Sequence, residues 1–452
     1  MFILFFCILQ SFAERITNFH VAFAKGYTTH AAMTVSWQVI SSSDYLPQVE
    51  VWKEGDDRKK FPAQYSCSYV GSGNHFHALL ENLEISTFYF YRINGDDRLG
   101  SFTTAKGADT EKFSVPIFGD WGVGKIGFAE ATKKRLSILK DDYDFVIHAG
   151  DIGYADDAFL HDWGTNFVGE KYEEVYNSFM EEIEDISMHK AYMVSPGNHE
   201  SECHSPFCLF RPEYRHGLNN FTAYNCRWGM GLARDTIAQE KPPHSMWYSF
   251  DYGPVHFVAL NTETDFKGAE EEFWGDCGWT CHLPAGNFGG YLEWLKNDLQ
   301  EAHANRDKIP WVVTFGHRPF YAYAGDECFS PSLCDQVGDL IEQFSDMHFA
   351  GHVHTYSRGT PKTNKGPVHI ISGAAGCDEW EGRPITDARA GVSDKFDWVG
   401  FGEEQVIGML TVFGRERLEW QAMTSEDGRV IDNVVVTPKN KIPNDHITIF
   451  EI

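Results

Sequence analysis

The chain has 452 residues, 42% of them hydrophobic and 15% aromatic, which is too long for one ordinary core and too apolar for a disordered chain. Its 65 acidic and 38 basic residues give a net charge of −27, a field that repels polyanions and so excludes nucleic acid and anionic membrane surfaces as partners. Beyond the first residues nothing approaches the roughly 20 apolar positions that a bilayer requires, which excludes a helical membrane protein.

Residues 1–13, MFILFFCILQSFA, form a short apolar run closed by the small residues Ser11 and Ala13, the pattern of a secretory signal. A secreted or lysosomal protein is therefore expected, soluble once the signal is removed. Cysteine usage agrees. Setting Cys7 aside leaves an odd number, several in close pairs, so the disulfides Cys203–Cys208, Cys277–Cys281 and Cys328–Cys334 are expected, with one thiol left over. Asn220-Phe221-Thr222 is a glycosylation sequon. No sequence feature sets an oligomeric state.

From residue 14 to about 106 short alternating segments (AAMTVSWQVI, QVEVWKE, HFHALL, TFYFYRING, RLGSFTTA) predict an all-β sandwich. LEISTFYFYRI resembles the fibronectin type III pattern, with Leu83 and Tyr89 placed for a tyrosine corner and Trp37 for the core. After a linker at AKGADTEK the pattern changes, from residue 111 to 452, to apolar strands alternating with helices, the mark of an α/β domain. The strands are FSVPIFGD, DFVIHAGD, KAYMVSPGNHE, VHFVALNT, WVVTFGHRP, MHFAGHVH and VHIISGAAG. Helices are expected at FAEATKKRLSILK, YEEVYNSFMEEIEDI and GYLEWLKNDLQEAH, and GMLTVFGRERLEWQAMT should add antiparallel edge strands.

Five of these strands end alike, in a glycine followed by metal-binding residue types: Asp120; Asp151; Asn198 and His199; His317; and His352 with His354. Strand ends of an open α/β sheet gather at one edge, so these residues can converge, and alternation puts His352 and His354 on one face. Each element alone has a plainer explanation, such as a helix cap at Asp120; five in order do not. Carboxylate, amide, imidazole and, at Tyr154, phenolate make a mixed oxygen and nitrogen set that suits iron, manganese or zinc. It is too large for one ion. Two ions about 3.5 to 4 Å apart, bridged by a carboxylate, form the usual clamp for displacement at phosphorus.

The series GDWG, GDIGY, GNHE, TFGHRP and GHVH resembles the calcineurin-like metallophosphoesterases. With the tyrosine of GDIGY and the fibronectin-like leader it is similar to the high-molecular-weight purple acid phosphatases over nearly the whole mature chain. The resemblance implies a four-layer αββα sandwich and an acid phosphatase, which hydrolyses small phosphate monoesters by attack of a metal-bound hydroxide. It places Asp120, Asp151, Tyr154 and His354 on Fe(III). Asn198, His317 and His352 fall on a second, divalent metal (Fe, Zn or Mn), with Asp151 bridging and His199 catalytic beside the pair. Such a centre carries a net positive charge, which lets an anionic ester bind to an acidic protein. One departure is plain: after His317 the chain reads RPFYAYAGDECFSPSLC, where plant members carry further histidines. A phosphodiesterase or nucleotide pyrophosphatase on the same core is the second expectation, and a secreted adhesion protein the third.

Overall fold

The structure is a computed structural model that describes residues 15–25, 30–40, 45–123, 129–156, 171–232, 244–273, 283–363, 365–377, 393–402, 404–438 and 447–449. The expected signal, residues 1–13, and the Cys277–Cys281 pair lie outside the described residues.

Residues 15 to 103 form two facing four-stranded sheets. One has the order β1 (Arg15–Phe23), β2 (Ala31–Ile40), β6 (Asn74–Leu83), β5 (Tyr65–Cys67), the other β4 (Lys59–Pro62), β3 (Gln48–Trp52), β7 (Phe88–Ile93), β8 (Gly100–Thr103), and every pairing is antiparallel. Alternation places Val49 and Val51 of β3 and Tyr89, Tyr91 and Ile93 of β7 inward, around the buried Trp37. The Tyr89 hydroxyl accepts the Glu84 N–H at 3.1 Å and so pins the corner between β6 and β7.

Two mixed seven-stranded sheets follow. The first runs β11 (Tyr192–Ser195), β10 (Val146–Ala149), β9 (Phe113–Phe118), β19 (Val406–Phe413), β20 (Arg417–Thr424), β21 (Val430–Val436), β22 (Ile447–Ile449). The second runs β12 (Tyr248–Tyr252), β13 (Val255–Ala259), β14 (Trp311–Phe315), β15 (Met347–Ala350), β17 (Val368–Ser372), β16 (Tyr356–Pro361), β18 (Phe396–Phe401). β9, β10 and β11 are parallel, as are β13, β14, β15 and β17. Apart from the partly buried His256 of β13, these strands are buried along their whole length, as parallel strands covered on both faces must be. Rings from both sheets meet in the core between them, Phe145 against Phe257 and Phe349 against Trp420.

The three expected helices form at α1 (Ala129–Ile138), α2 (Tyr172–Ser187) and α3 (Tyr291–Ala304). Val175, Phe179 and Ile183 give α2 an apolar stripe, and Phe179 packs edge-on to Trp121 behind the strand ends. On its other side α2 meets the sandwich, where Glu184 accepts the Phe19 N–H and Ser187 donates to the Phe19 carbonyl. A buried polar cluster completes that junction: Glu173 takes hydrogen bonds from Gln38 and Tyr69 and an ion pair from Arg227.

Disulfides join Cys203 to Cys208 and Cys328 to Cys334, the two local pairs expected within the described residues. A third, Cys67–Cys226, spans 159 positions and ties the sandwich to the α/β unit. Close spacing gave no hint of it. Cys377, the odd cysteine, is buried.

Candidate metal centre

Five strand ends meet at one edge of the paired sheets. β9, β10 and β11 of the first sheet run into Asp120, Asp151 and Asn198, while β14 and β15 of the second run into His317 and His352. The glycines between strand and donor make room. Gly150 turns with φ +76°, and a Cβ there would overlap the His317 ring; a Cβ at Gly351 would overlap the Asp120 carboxylate.

The backbone itself is strained here. Asp120 (φ 59°), Asp151 (φ 49°), Tyr154 (φ 50°) and His352 (φ 68°) all lie in the left-handed region, at a cost of about 1–3 kcal/mol each. For a tyrosine this is the wrong conformation to choose on local grounds. The turn serves to drive a fully buried phenol toward the other donors.

Two groups of donors result. The Tyr154 hydroxyl is 3.3 Å from Asp120 Oδ1 and 3.1 Å from His354 Nε2, and His354 Nε2 is 3.2 Å from Asp120 Oδ1. Opposite them, Asn198 Oδ1 is 3.0 Å from His317 Nε2 and 3.0 Å from His352 Nδ1, and His317 Nε2 is 3.0 Å from Asp151 Oδ2. Asp151 belongs to both, lying within ligand distance of Asp120 and His354 on one side and of His317 and His352 on the other. All eight residues singled out in the sequence come together, His199 among them, with its N–H on Asp151 Oδ1 at 3.1 Å.

This set fits metal ions. The Ala149 carbonyl only accepts, so His317 Nδ1, 3.0 Å away, donates to it, and Nε2 faces two acceptor oxygens. Without a metal a second proton answers those oxygens, and a metal cation can take its place. Separations near 3 Å are those of neighbouring donors on one ion with bonds of about 2.0–2.2 Å. Charge agrees: burial opposes a positive His317, but Asp151 and Asp120 outweigh it and hold the ring up at about 9. For Asp151, burial is likewise overcome by His317 and His199, which keep it ionised.

The surrounding shell contains residues the sequence reading did not select. Glu200, the last residue of GNHE, accepts the N–H groups of Asp151 (3.0 Å), Ile152 (2.9 Å) and Gly197 (2.8 Å), locking two donor loops together. Asp156 takes His199 Nδ1 at 2.9 Å and His204 Nδ1 at 2.5 Å. Arg318, next to His317, places Nη1 3.1 Å from His352 Nε2 and is held by Glu263, Glu270 and Glu271. Glu200 and Arg318 were visible as the ends of their motifs; Asp156 and His204 carry no signal of their own. In the segment after His317 the tyrosines turn away, Tyr321 against Phe396 and Tyr323 against Trp398, and Asp326 bonds Ser393, while Phe329 returns to pack edge-on to the His352 ring.

The calcineurin-like phosphoesterase profile matches residues 113–356, which hold every donor described above. The chain belongs to that family. A second profile, iron/zinc purple acid phosphatase-like protein C, matches residues 366–433 and places it on the purple acid phosphatase branch. Acid phosphatase A of Cryphonectria parasitica is 29% identical over 78% of this chain and 79% of its own length. Acid phosphatase type 7 of Mus musculus is 27% identical over 79% and 76%, and purple acid phosphatase 22 of Arabidopsis thaliana 28% over 80% and 71%. A purple acid phosphatase from yellow lupin seeds shares the fold, with a TM-score of 0.69 at 20% identity over 94% of this chain and 74% of its own. A calcineurin-like phosphoesterase of this branch has a dinuclear centre, and the convergent donors include two groups that could each hold a metal ion.

Proposed function

We propose that this phosphoesterase is an acid phosphatase of phosphate monoesters working at an Fe(III)–divalent metal pair. The observation that carries the reading is the shared position of Asp151 between an oxygen-rich donor group and a nitrogen-rich one. Asp120, Tyr154 and His354 offer two anions and one imidazole, a hard set suited to Fe(III). Asn198, His317 and His352 offer an amide and two imidazoles, suited to iron, zinc or manganese in the divalent state. When bound, such a pair supplies an activated water and a clamp on the phosphoryl oxygens.

The chain's own residues do the rest. Glu200 fixes the loops that carry Asp151 and Asn198. Arg318 and His352 border the divalent side, where the charge of Arg318 is taken up by Glu263, Glu270 and Glu271. His199 stands beside the centre with Nε2 3.9 Å from Asp151 Oδ2, placed to protonate a leaving oxygen. The three disulfides support passage through an oxidising compartment, and hence a secreted or lysosomal location. Among the described residues no helix is long and apolar enough to cross a membrane.

Initial rates at acidic pH with an aryl monoester and an aryl diester, alongside metal analysis, test the reading. Monoester turnover with two metals per chain is expected. Diester hydrolysis exceeding it would move the assignment to a phosphodiesterase. Asp151→Asn should lose at least one metal and nearly all turnover.

A further inference from the structure

The His199 side chain is oriented by a carboxylate that it shares. Asp156 Oδ2 lies 2.9 Å from His199 Nδ1 and 2.5 Å from His204 Nδ1, and the two imidazole centroids are 6.1 Å apart. A carboxylate oxygen here only accepts, so both rings present N–H to it. Asp156 and His204 are buried, and among the described residues neither Asp156 Oδ1 nor His204 Nε2 has a hydrogen-bond partner. The shared oxygen is the hydrogen-bonding anchor of the group, with the Glu202 carboxylate 3.9 Å from His204 Nε2 on the ring's other side. His204 in turn is set by its neighbour, since the Cys203–Cys208 disulfide closes the turn that carries it.

A metal ion held by these three residues is the competing account, and a third ion per loaded chain would favour it over two imidazole N–H groups sharing one carboxylate oxygen. The arrangement is a proton-linked chain, His204 to Asp156 to His199, pointing at the metal centre. A carboxylate gripped by one donor can swing about its last torsion; two donors arriving from different sides fix its plane, and a group doing acid catalysis needs placement within about 0.5 Å.

We propose that His204 is a positioning residue for ester cleavage, holding Asp156 so that His199 presents Nε2 to the leaving oxygen. It rests on the phosphatase reading. It also supplies a second imidazole to the proton-handling side of the centre, on a segment remote from the tyrosines that follow His317 and pack away from it.

The test compares kcat and KM of metal-loaded wild type, His204→Ala, His204→Asn and His204→Gln on glycerol phosphate and on p-nitrophenyl phosphate. An alkyl leaving group needs a well-placed acid, and an activated aryl one does not. His204→Ala should lose about tenfold or more in kcat on glycerol phosphate and less than about threefold on the aryl ester, with KM and metal content kept. Asparagine carries an N–H near the position of Nδ1 and should restore most of the loss; glutamine places it at Nε2 and should not. Adding His204→Ala to His199→Ala should cost nothing further, because the two act as one unit. Wild-type turnover of glycerol phosphate in His204→Ala, equal loss on both esters, or losses that add to those of His199→Ala would overturn the proposal. Should the alanine variant not fold, equal rates for the asparagine and glutamine variants would do the same. A wild type with two metals and no turnover of either ester would instead defeat the phosphatase reading itself.

Discussion

The phenol of Tyr154 and the imidazole of His354, 200 positions apart in the chain, face each other at 3.1 Å across the oxygen-rich half of the centre. The strained turn at Tyr154 exists to make that approach. Loaded with Fe(III), the protein should be violet from charge transfer out of the phenolate. Tyr154→Phe should abolish the band and, having one anion fewer, hold ferric iron less tightly under mild reductant. The apo fold should lose only about 1 kcal/mol, the usual value of one buried hydrogen bond. A fully iron-loaded Phe variant that remained violet would remove Tyr154 from the iron.

Glu200 should matter more to the fold than any donor. Its carboxylate satisfies three buried N–H groups on two loops, so Glu200→Ala strands all three. At about 1–3 kcal/mol for each orphaned group the variant should be destabilised by several kcal/mol. Glu200→Gln should recover only part, since its amide can present one acceptor where two oxygens are used. Urea melts of the apo proteins measure this without reference to turnover.

The donors were legible because each sits at a fixed offset from a strand end, and strand ends of such sheets share an edge. Asp120, Asp151, Asn198, His317 and His352 all follow from that rule. What the sequence could not show is contact set by long-range packing. Asp156 and His204 lie on loops that meet only once α2 and the sheets are assembled, and Cys67 finds Cys226 only because the sandwich docks beside α2. Strands β1, β4, β5, β12, β16, β18, β21 and β22 were also not singled out; β12 and β18 do alternate, but over five or six residues, too short a run to stand out from a loop. Thr314 lies on the buried strand β14. In the structure its hydroxyl has partners of its own, Ser345 and His348, each at 3.0 Å.

His256 makes stability fall at high pH. Burial disfavours its cation, but hydrogen bonds to Asp251 (2.6 Å) and Asp298 (3.0 Å) outweigh burial and raise it to about 9. The folded value lies above the unfolded one, so the contribution is complete below about pH 6.5 and is lost as pH rises through 9. The loss is at most about 3–4 kcal/mol, the limit set by a rise from 6.5 to about 9. Melting temperatures between pH 6 and pH 10 should drop more steeply for wild type than for His256→Gln. Parallel curves would show that the pair of aspartates does not bind the cation.

Cys67–Cys226 closes a loop of 159 positions between two structural units, so its loss should loosen their junction rather than the metal centre. The double variant Cys67→Ser, Cys226→Ser should lose on the order of 2–5 kcal/mol, the range for long disulfide loops. Calorimetry should resolve the single transition into two, with the sandwich melting first, because the junction then depends only on noncovalent contacts, the Glu173–Arg227 cluster and the α2 bonds to Phe19 among them. One transition at the wild-type temperature would show that the polar junction suffices.

Asn220 stands at the rim of a cavity of about 340 Å³ beside that same disulfide, lined by Tyr65, His244, Asn287 and Phe288. Its Oδ1 accepts the Gly286 N–H at 2.6 Å, which fixes the side chain while using only the atom that N-glycosylation leaves unchanged. Thr222, the third residue of the sequon, is half-buried on the same turn. Protein made in a secretory host should therefore carry a glycan at Asn220. Its first sugar should rest against Tyr65 and Phe288, since aromatic faces and amides suit a ring with one apolar and one hydroxylated side. Intact mass before and after peptide N-glycosidase treatment measures occupancy. The native protein should resist the enzyme and the denatured protein yield to it, and Phe288→Ala should make the native form sensitive. An unmodified Asn220 in protein recovered from the medium would show that the sequon is silent, and equal sensitivity of native and denatured forms would show that the cavity does not hold the sugar.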